Sequence, residues 1–396
     1  MEFQFTPAEE KFRQEIKDFL EKELPAQWLD GAPMLEDDES KDQFAQAIAK
    51  KMGTKGWITA AWPKEYGGLG WNQIQQLIFA EEMMLHKVPR TYILGAGTSN
   101  VGPTLAIHGT EEQKRKYLPG IAQAEDRWCQ LFSEPNAGSD LAGVETKGVD
   151  EGDYFSVTGV KIWSSMAHKA RWGACLCRTD PKAPKHKGIT YLIVDMKSPG
   201  IVFKPLVNIC DVYSFNQVFL DNVKVPKENV VSQINRGWYV GATTLNMERS
   251  FVRHSVMARE YTGEVMELIK SGLHGIDLLK RNPVLRHKLA EMYVEIEASK
   301  LLAYRVAWLQ SKGGVPSYES SVSKLFTSEM TQRLVQVAME LLGLFGQLKE
   351  HSKYAVLRGK AQQLYLAQRA ITIGGGTSEI QRTLIARRGL GMPGAG

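Results

Sequence analysis

Residues Trp128 to Gly143 read WCQLFSEPNAGSDLAG, an apolar run that breaks into Ser133-Glu134-Pro135-Asn136-Ala137-Gly138-Ser139-Asp140. Pro135 restricts one φ and Gly138 permits a positive one, so the stretch reads as a strand end opening into a tight loop. Its backbone N–H groups and the Ser133 and Ser139 hydroxyls would make a polar rim for a flat or anionic ligand; an ordinary turn is the competing reading. A second stretch, Ile373-Gly374-Gly375-Gly376-Thr377, precedes a helix whose start reads as a capping box from Ser378 to Gln381. Free N–H donors there can hold a polar or anionic group, or the glycines form a plain interhelical turn. A third feature is Glu248. If Trp238 to Ser271 is helical, its neighbours at three and four residues are Thr244, Leu245, Phe251 and Val252, a mostly apolar face. A carboxylate so placed is either half-exposed or a proton acceptor in a dry site. Arg249 points about 100° away around the helix and is not its direct ion partner.

Other chemistries find little support. The four cysteines, Cys129, Cys175, Cys177 and Cys210, form no Cys-x-x-Cys, which argues against a zinc ribbon or redox motif. Cys175 and Cys177 alternate along a strand-like run, as small core residues do. The eight histidines lack the spacing of a helical metal site. Gly95-Ala96-Gly97-Thr98-Ser99-Asn100 fails as a dinucleotide fingerprint, because Asn100 takes the third glycine position and no clear strand precedes it. With 396 residues, 43% hydrophobic and 23% charged, the chain reads as an ordinary soluble globular protein of two or three domains. The net charge of +5 is spread out, apart from Arg382, Arg387 and Arg388, which read as a solvated helix face. No leader and no membrane-spanning run is read, so the expected location is cytoplasmic and reducing.

The elements that must position these residues fall into three blocks. Thr6-Pro7-Ala8-Glu9 is a helix start with a capping box, followed by the stripe Phe12, Ile16, Phe19 and Leu20. Further helices are expected over Ser40 to Gly53 and Asn72 to His86, and from a second capping box at Thr110 to Gln113. Short β-type runs follow between Trp128 and Arg236, separated by turn clusters such as Asp150-Glu151-Gly152-Asp153. Helical periodicity returns at Trp238, with Leu289, Met292, Ile296 and Leu301-Leu302 as one stripe and Leu334, Val337 and Leu341-Leu342 as another. The expected fold is α+β: an N-terminal helical domain (1–127), a small β-domain, barrel or sandwich (128–236), and a C-terminal helical bundle of the four-helix type (237–396).

This order of blocks and loops resembles the acyl-CoA dehydrogenase family over nearly the whole chain. The likeness rests on His108-Gly109-Thr110-Glu111-Glu112-Gln113-Lys114, Ser133 to Asp140, Lys161-Ile162-Trp163-Ser164-Ser165, Leu341-Leu342-Gly343, and Gly376-Thr377-Ser378-Glu379-Ile380-Gln381-Arg382. The resemblance implies FAD between the β-domain and the bundle and oxidation of an acyl-CoA to the trans-2-enoyl-CoA. It also implies electron transfer to an electron-transferring flavoprotein and a homotetramer, with homodimer or heterotetramer as alternatives. Carried over, it implies that Leu131, Phe132 and Ser133 lie along the isoalloxazine, that Trp163 covers it with Ser164 beside, and that Ser165 reaches its N5 edge. A core tryptophan is the bland alternative for Trp163. Gly138 and Ser139 are implied in flavin or CoA contacts, Gly343 and Gly346 in contact with a neighbouring subunit's FAD, and Thr377 and Glu379 at the pyrophosphate and adenine end.

The chain departs from the family pattern in two places. Many members carry the catalytic Glu where this chain has Gly375; others carry it on an earlier helix before an arginine, which here is Glu248-Arg249. The Arg-x-x-Phe-Gly pattern is missing between Gly272 and Lys280, leaving Arg281 or Arg286 as substitutes. The resemblance thus implies Glu248 as the base and the Gly375 N–H as a donor to the thioester oxygen. Gly374 and Gly375, with Gly95, Ala96 and Gly97 on another wall, imply a wide cavity for branched, cyclic or steroid-like acyl groups. Arg249 is carried as a substrate-site residue. The competing readings are a subunit of a hetero-oligomer, a same-fold acyl-CoA oxidase or desulfinase, and a nucleic-acid-binding flavoprotein relative. A basic groove with interleaved aromatics, which that last reading needs, is not seen.

Overall fold

The computed structural model describes residues 4–25, 28, 38–88, 95–246, 252–272 and 282–393. The N-terminal helical domain contains α1 (Pro7–Glu23), α2 (Asp38–Thr54), α3 (Gln73–Leu85), α4 (Gly102–His108) and α5 (Glu111–Ala122). Three of these helices begin as reciprocal capping boxes, Thr6 with Glu9, Asn72 with Gln75 and Thr110 with Gln113. Each box satisfies backbone donors that the first turn leaves unpaired.

The middle domain is a curled seven-stranded sheet: β1 (Trp128–Leu131), β2 (Lys147–Asp150), β3 (Tyr154–Ser165), β4 (Trp172–Arg178), β5 (Ile189–Asp195), β6 (Ile201–Val207) and β7 (Tyr213–Pro226). Its order is β1-β4-β2-β3-β7-β6, with β5 added on β4. Cys129, Cys175 and Cys177 are buried in its core beside Phe155, Val157 and Val223, as small apolar residues. The C-terminal helical domain holds α6 (Gly237–Asn246), α7 (Val252–Lys270), α8 (Pro283–Ser311), α9 (Tyr318–Leu342), α10 (Lys360–Ala367) and α11 (Ser378–Leu384).

Packing does not follow chain order. One compact unit joins α1 and α3 to the helices from α7 onward; the other joins α2, α4, α5 and α6 to the sheet. In the first, Tyr261 and Val265 of α7, Leu289, Met292 and Ile296 of α8, and Leu334, Val337 and Leu341 of α9 share one core. Leu301 departs from its stripe and is exposed. Arg13 of α1 pairs with Glu82 at 2.5 Å and Glu81 at 3.1 Å on α3. In the second unit Tyr117, Trp128 and Trp172 meet edge-on or tilted at the start of the sheet.

Candidate functional site

The loop after β1 is tied down by a buried ion pair. Glu134 and Ala137 close a turn through two backbone hydrogen bonds of 3.0 Å each. The Glu134 carboxylate accepts from Lys161 Nζ at 2.7 Å and from the N–H groups of Glu145 at 2.6 Å and Thr146 at 3.0 Å. Lys161, fully buried on β3, spends its other two donors on the carbonyls of Phe132 at 3.1 Å and Leu176 at 2.6 Å. The Ile162 N–H adds a bond to the Ser133 carbonyl at 2.9 Å. Burial works to raise the Glu134 pKa, but the Lys161 charge and the hydrogen bonds outweigh it and hold the carboxyl below its ordinary value. Neither Glu134 nor Lys161 was singled out as a site residue by the sequence; a lysine inside a strand was the available signal.

This anchoring decides what the loop can offer. The Leu131 and Phe132 side chains are buried in the cores, so only their backbone remains for a ligand. Ser133 is half-buried, and Gly138 and Ser139 are exposed. Gly138 is not among the left-handed glycines; the turn is made without that freedom.

On β3, pairing with β7 shifts register between Lys161 and Ser164, a β-bulge. Within it Trp163 adopts φ +58°, a left-handed conformation that costs a side-chain-bearing residue about 1–2 kcal/mol. The bulge turns the indole outward to 60% exposure, edge-on to Phe215 at 6.0 Å, so Trp163 is not a core residue. Ser165 is exposed, and Ser164 is buried with a hydroxyl that has no hydrogen-bond partner among the described residues. A strained, outward tryptophan, with Ser165 two residues on and Ser133 bonded to the neighbouring Ile162, is a fitting wall for a flat heteroaromatic ring.

In the helical unit the glycine run is held by side chains. Gly375 and Gly376 have φ of +68° and +91°. Lys324 Nζ donates to the Gly376 carbonyl at 2.7 Å, and Gln381 Nε2 donates to the Gly375 and Gly376 carbonyls at 3.2 Å each. The cap of α11 is Thr377, one residue before the expected Ser378: Thr377 is extended and its hydroxyl accepts from the Ile380 N–H at 3.2 Å. With Thr377 as the cap, the third helical position is Ile380, which has no side-chain acceptor to return a bond, so no reciprocal box forms, and Gln381 is used on the glycine carbonyls instead. Thr377 and Glu379 line a cleft of about 570 Å³ with Gln332, Arg333, Arg369 and Thr372. Gly343, at φ +55°, opens a 3-10 turn that contains the buried Gly346. Gly376→Ala is expected to lower stability by about 1–2 kcal/mol in urea unfolding, since φ +91° is a backbone conformation that L side chains rarely adopt, and the added Cβ would also push aside the Gln381 amide that holds the glycine carbonyls. Gly138→Ala, with open space around the added Cβ, is expected to stay within about 0.5 kcal/mol of the parent.

Glu248, Arg249 and Arg281 lie outside the described residues. The expected helix from Trp238 to Ser271 is described as α6 and α7, on either side of residues 247–251. Gly374 and Gly375 are exposed, and nothing lies within 4 Å of a Cβ added at Gly375. Among the described residues there is no metal-ligating cluster, and no helix is long and apolar enough to cross a membrane.

The chain belongs to the acyl-CoA dehydrogenase family, an FAD-dependent family, matching its N-terminal domain over residues 6–125, its middle domain over 129–223 and its C-terminal domain over 235–390. It is 40% identical over 339 residues to "Acyl-CoA dehydrogenase FadE34" of Mycobacterium tuberculosis, a match that covers 85% of this chain. The chain spans about half of that relative, 45% of its length. Among solved structures it is similar to "Tcur3481-Tcur3483 steroid ACAD", with a TM-score of 0.88, 30% identity and full coverage of both chains. It is likewise similar to the ChsE4-ChsE5 complex from Mycobacterium tuberculosis, with a TM-score of 0.86, 31% identity and full coverage of both chains.

Proposed function

We propose that this protein dehydrogenates a bulky acyl-CoA, branched, cyclic or steroid-like, between its α- and β-carbons. The observation that carries the flavin part is Trp163, held outward in a strained bulge beside Ser165. FAD, when bound, supplies the acceptor for the β-hydrogen and its electron pair. The Trp163 indole backs the isoalloxazine, while Ser133 and Ser165 offer hydroxyls to its edge and Gly138 and Ser139 contact flavin or CoA. In the helical unit, Thr377 and Glu379 take the nucleotide end in their cleft, and Gly343 and Gly346 meet FAD of a neighbouring subunit. Arg281 is assigned to FAD and Arg249 to the substrate site.

Glu248 takes the α-proton, because Gly375 has no side chain to do so. A carboxylate doing this work needs a dry setting that raises its pKa toward neutrality. The Gly375 N–H donates to the thioester oxygen, where enolate charge develops, and one such donor is typically worth ~3 kcal/mol. Pinning of the Gly375 and Gly376 carbonyls by Lys324 and Gln381 supports a fixed direction for that donor. Glycines at 374 and 375 support a wide acyl cavity. The name of the solved steroid ACAD relative supports a steroid-like acyl group. Electrons pass on to an electron-transferring flavoprotein. The thiols Cys129, Cys175 and Cys177, buried in the sheet core and unbridged, support a reducing, cytoplasmic location.

The test is anaerobic bleaching of bound flavin by a panel of acyl-CoAs. Branched, cyclic or steroid-like chains are expected to bleach it about tenfold faster than straight ones, a margin of about 1.4 kcal/mol in the barrier. Bleaching by straight chains alone overturns the substrate class, and protein that stays colourless with added FAD overturns the flavin reading. The proposed assembly is a homotetramer. The likeness to the ChsE4-ChsE5 complex supports a second reading, one subunit type of a hetero-oligomer. Full FAD occupancy of the chain purified alone would favour the first and fractional occupancy the second.

A further inference from the structure

The strained segment that carries Trp163 and Ser165 is held from β7 by side chains outside any ligand contact assigned above. Two of its residues are left-handed, Trp163 at φ +58° and Met166 at φ +51°. Conformations of this kind persist where surrounding bonds over-determine them. One bond is from the backbone: the Met166 N–H donates to the Ser214 carbonyl at 2.8 Å. The other is from a side chain: Asn216 Nδ2 donates to the Ser164 carbonyl at 3.1 Å.

Asn216 is fully buried in β7, where a β-branched residue is the ordinary occupant. Its bond to a carbonyl requires the NH₂ group and so fixes which way the amide points. Oδ1 is then an acceptor only. It receives the Tyr213 hydroxyl at 2.6 Å and His168 Nδ1 at 3.1 Å. The imidazole must therefore carry its proton on Nδ1. Burial also keeps the His168 pKa below its ordinary value, against the raising effect of the Asn216 bond. The His168 and Tyr213 rings stack at 4.3 Å and 17°. Nδ2 meets the Ser164 carbonyl while Oδ1 meets two donors, so the amide has a single orientation.

We propose that Asn216 is a positioning residue for the Trp163–Ser165 segment, oriented in turn by the stacked pair His168 and Tyr213. This rests on the reading that Trp163 and Ser165 face the flavin. Through Ser164, the amide sets where the indole and the Ser165 hydroxyl stand against the ring without touching it.

The experiment uses the FAD-loaded protein and the Asn216→Asp, Tyr213→Phe and His168→Phe variants. Asn216→Asp keeps both acceptor bonds, loses the donor to Ser164 and sets a carboxylate oxygen against a carbonyl oxygen. It is expected to shift the visible flavin spectrum, raise flavin emission as the Trp163 contact loosens, and slow flavin reduction about tenfold with KM little changed, as lost positioning does. Tyr213→Phe and His168→Phe each remove one donor and are expected to give smaller changes of the same kind. They remain readable if Asn216→Asp does not fold. The Tyr213→Phe, His168→Phe double variant is expected to be no slower than Asn216→Asp, because both act through one amide. Variants that bind FAD with unchanged spectrum, emission and reduction rate, while only the melting temperature falls, overturn the assignment. Wild-type protein that takes up no FAD overturns the flavin reading itself, which is a separate outcome.

Discussion

Glu248→Gln is expected to slow anaerobic flavin reduction by a saturating acyl-CoA about 10³-fold, within the usual range for loss of a general base. The proton next to a thioester is weakly acidic, so the step depends on a carboxylate at short range in a water-poor setting. Glutamine keeps the size and polarity of the side chain but cannot accept the proton. Binding of FAD and of the acyl-CoA is therefore expected to be little altered, with the loss falling on the rate and not on KM. No second carboxylate stands in reserve on the late loop, where this chain has three successive glycines from Gly374 to Gly376. Stopped-flow traces on flavin-loaded protein make the comparison. Reduction of the glutamine variant at the parent rate would remove Glu248 from the mechanism and leave the flavin wall at Trp163 untouched.

Lys161→Met is expected to produce the largest loss of stability, about 3–5 kcal/mol, because it leaves the Glu134 carboxylate buried without its cation. The lysine ammonium is fully buried and all three of its donors are used, one on Glu134 and two on the Phe132 and Leu176 carbonyls. Its removal strips partners from the strand end and the loop together. Retention of FAD is expected to fall with stability, since Ser133 hangs from the same anchor through the Ile162 N–H. Adding Glu134→Gln is expected to recover part of the loss, by removing the stranded charge while keeping an acceptor for the Glu145 and Thr146 N–H groups. Urea midpoints measure both steps.

The same pair gives a pH signature. The Glu134 carboxyl is held below its ordinary value in the folded chain. A depressed carboxylate pKa contributes stability that is complete above the unfolded value of about 4.3 and is lost as pH falls through the folded one. The gap between wild type and Lys161→Met is therefore expected to be full near neutrality and to close in acid. A gap that stayed constant down to the acid transition would mean that the ion pair contributes little.

Much of the local structure was legible in the amino-acid order, because its causes are local. Thr6, Asn72 and Thr110 start helices by bonding donors a few residues away, and the short β-runs alternate with a period of two. The order of helices, sheet and helices followed from those signals, and the family likeness supplied the candidate residues. What the order of residues left open depended on partners distant in the chain. Nothing local distinguishes a core Trp163 from an exposed one; the register shift against β7 makes that choice. The likeness implies that Leu131 and Phe132 lie along the isoalloxazine; that the sheet buries their side chains, leaving the backbone for such a contact, is decided by packing.

The cap of α11 falls on Thr377 and not on Ser378, while Gln381 bonds the Gly375 and Gly376 carbonyls, the second of which Lys324 also reaches from α9. Chain order also hides that α1 and α3 pack with the late helices while α2, α4 and α5 pack with the sheet. Short-range hydrogen bonding and hydrophobic periodicity thus determined, from the sequence by itself, which elements form and which loops carry chemistry. Only the tertiary structure decided which side chains those loops present, because burial, register and the pairing of Lys161 with Glu134 or Asn216 with Ser164 join residues that the chain keeps far apart.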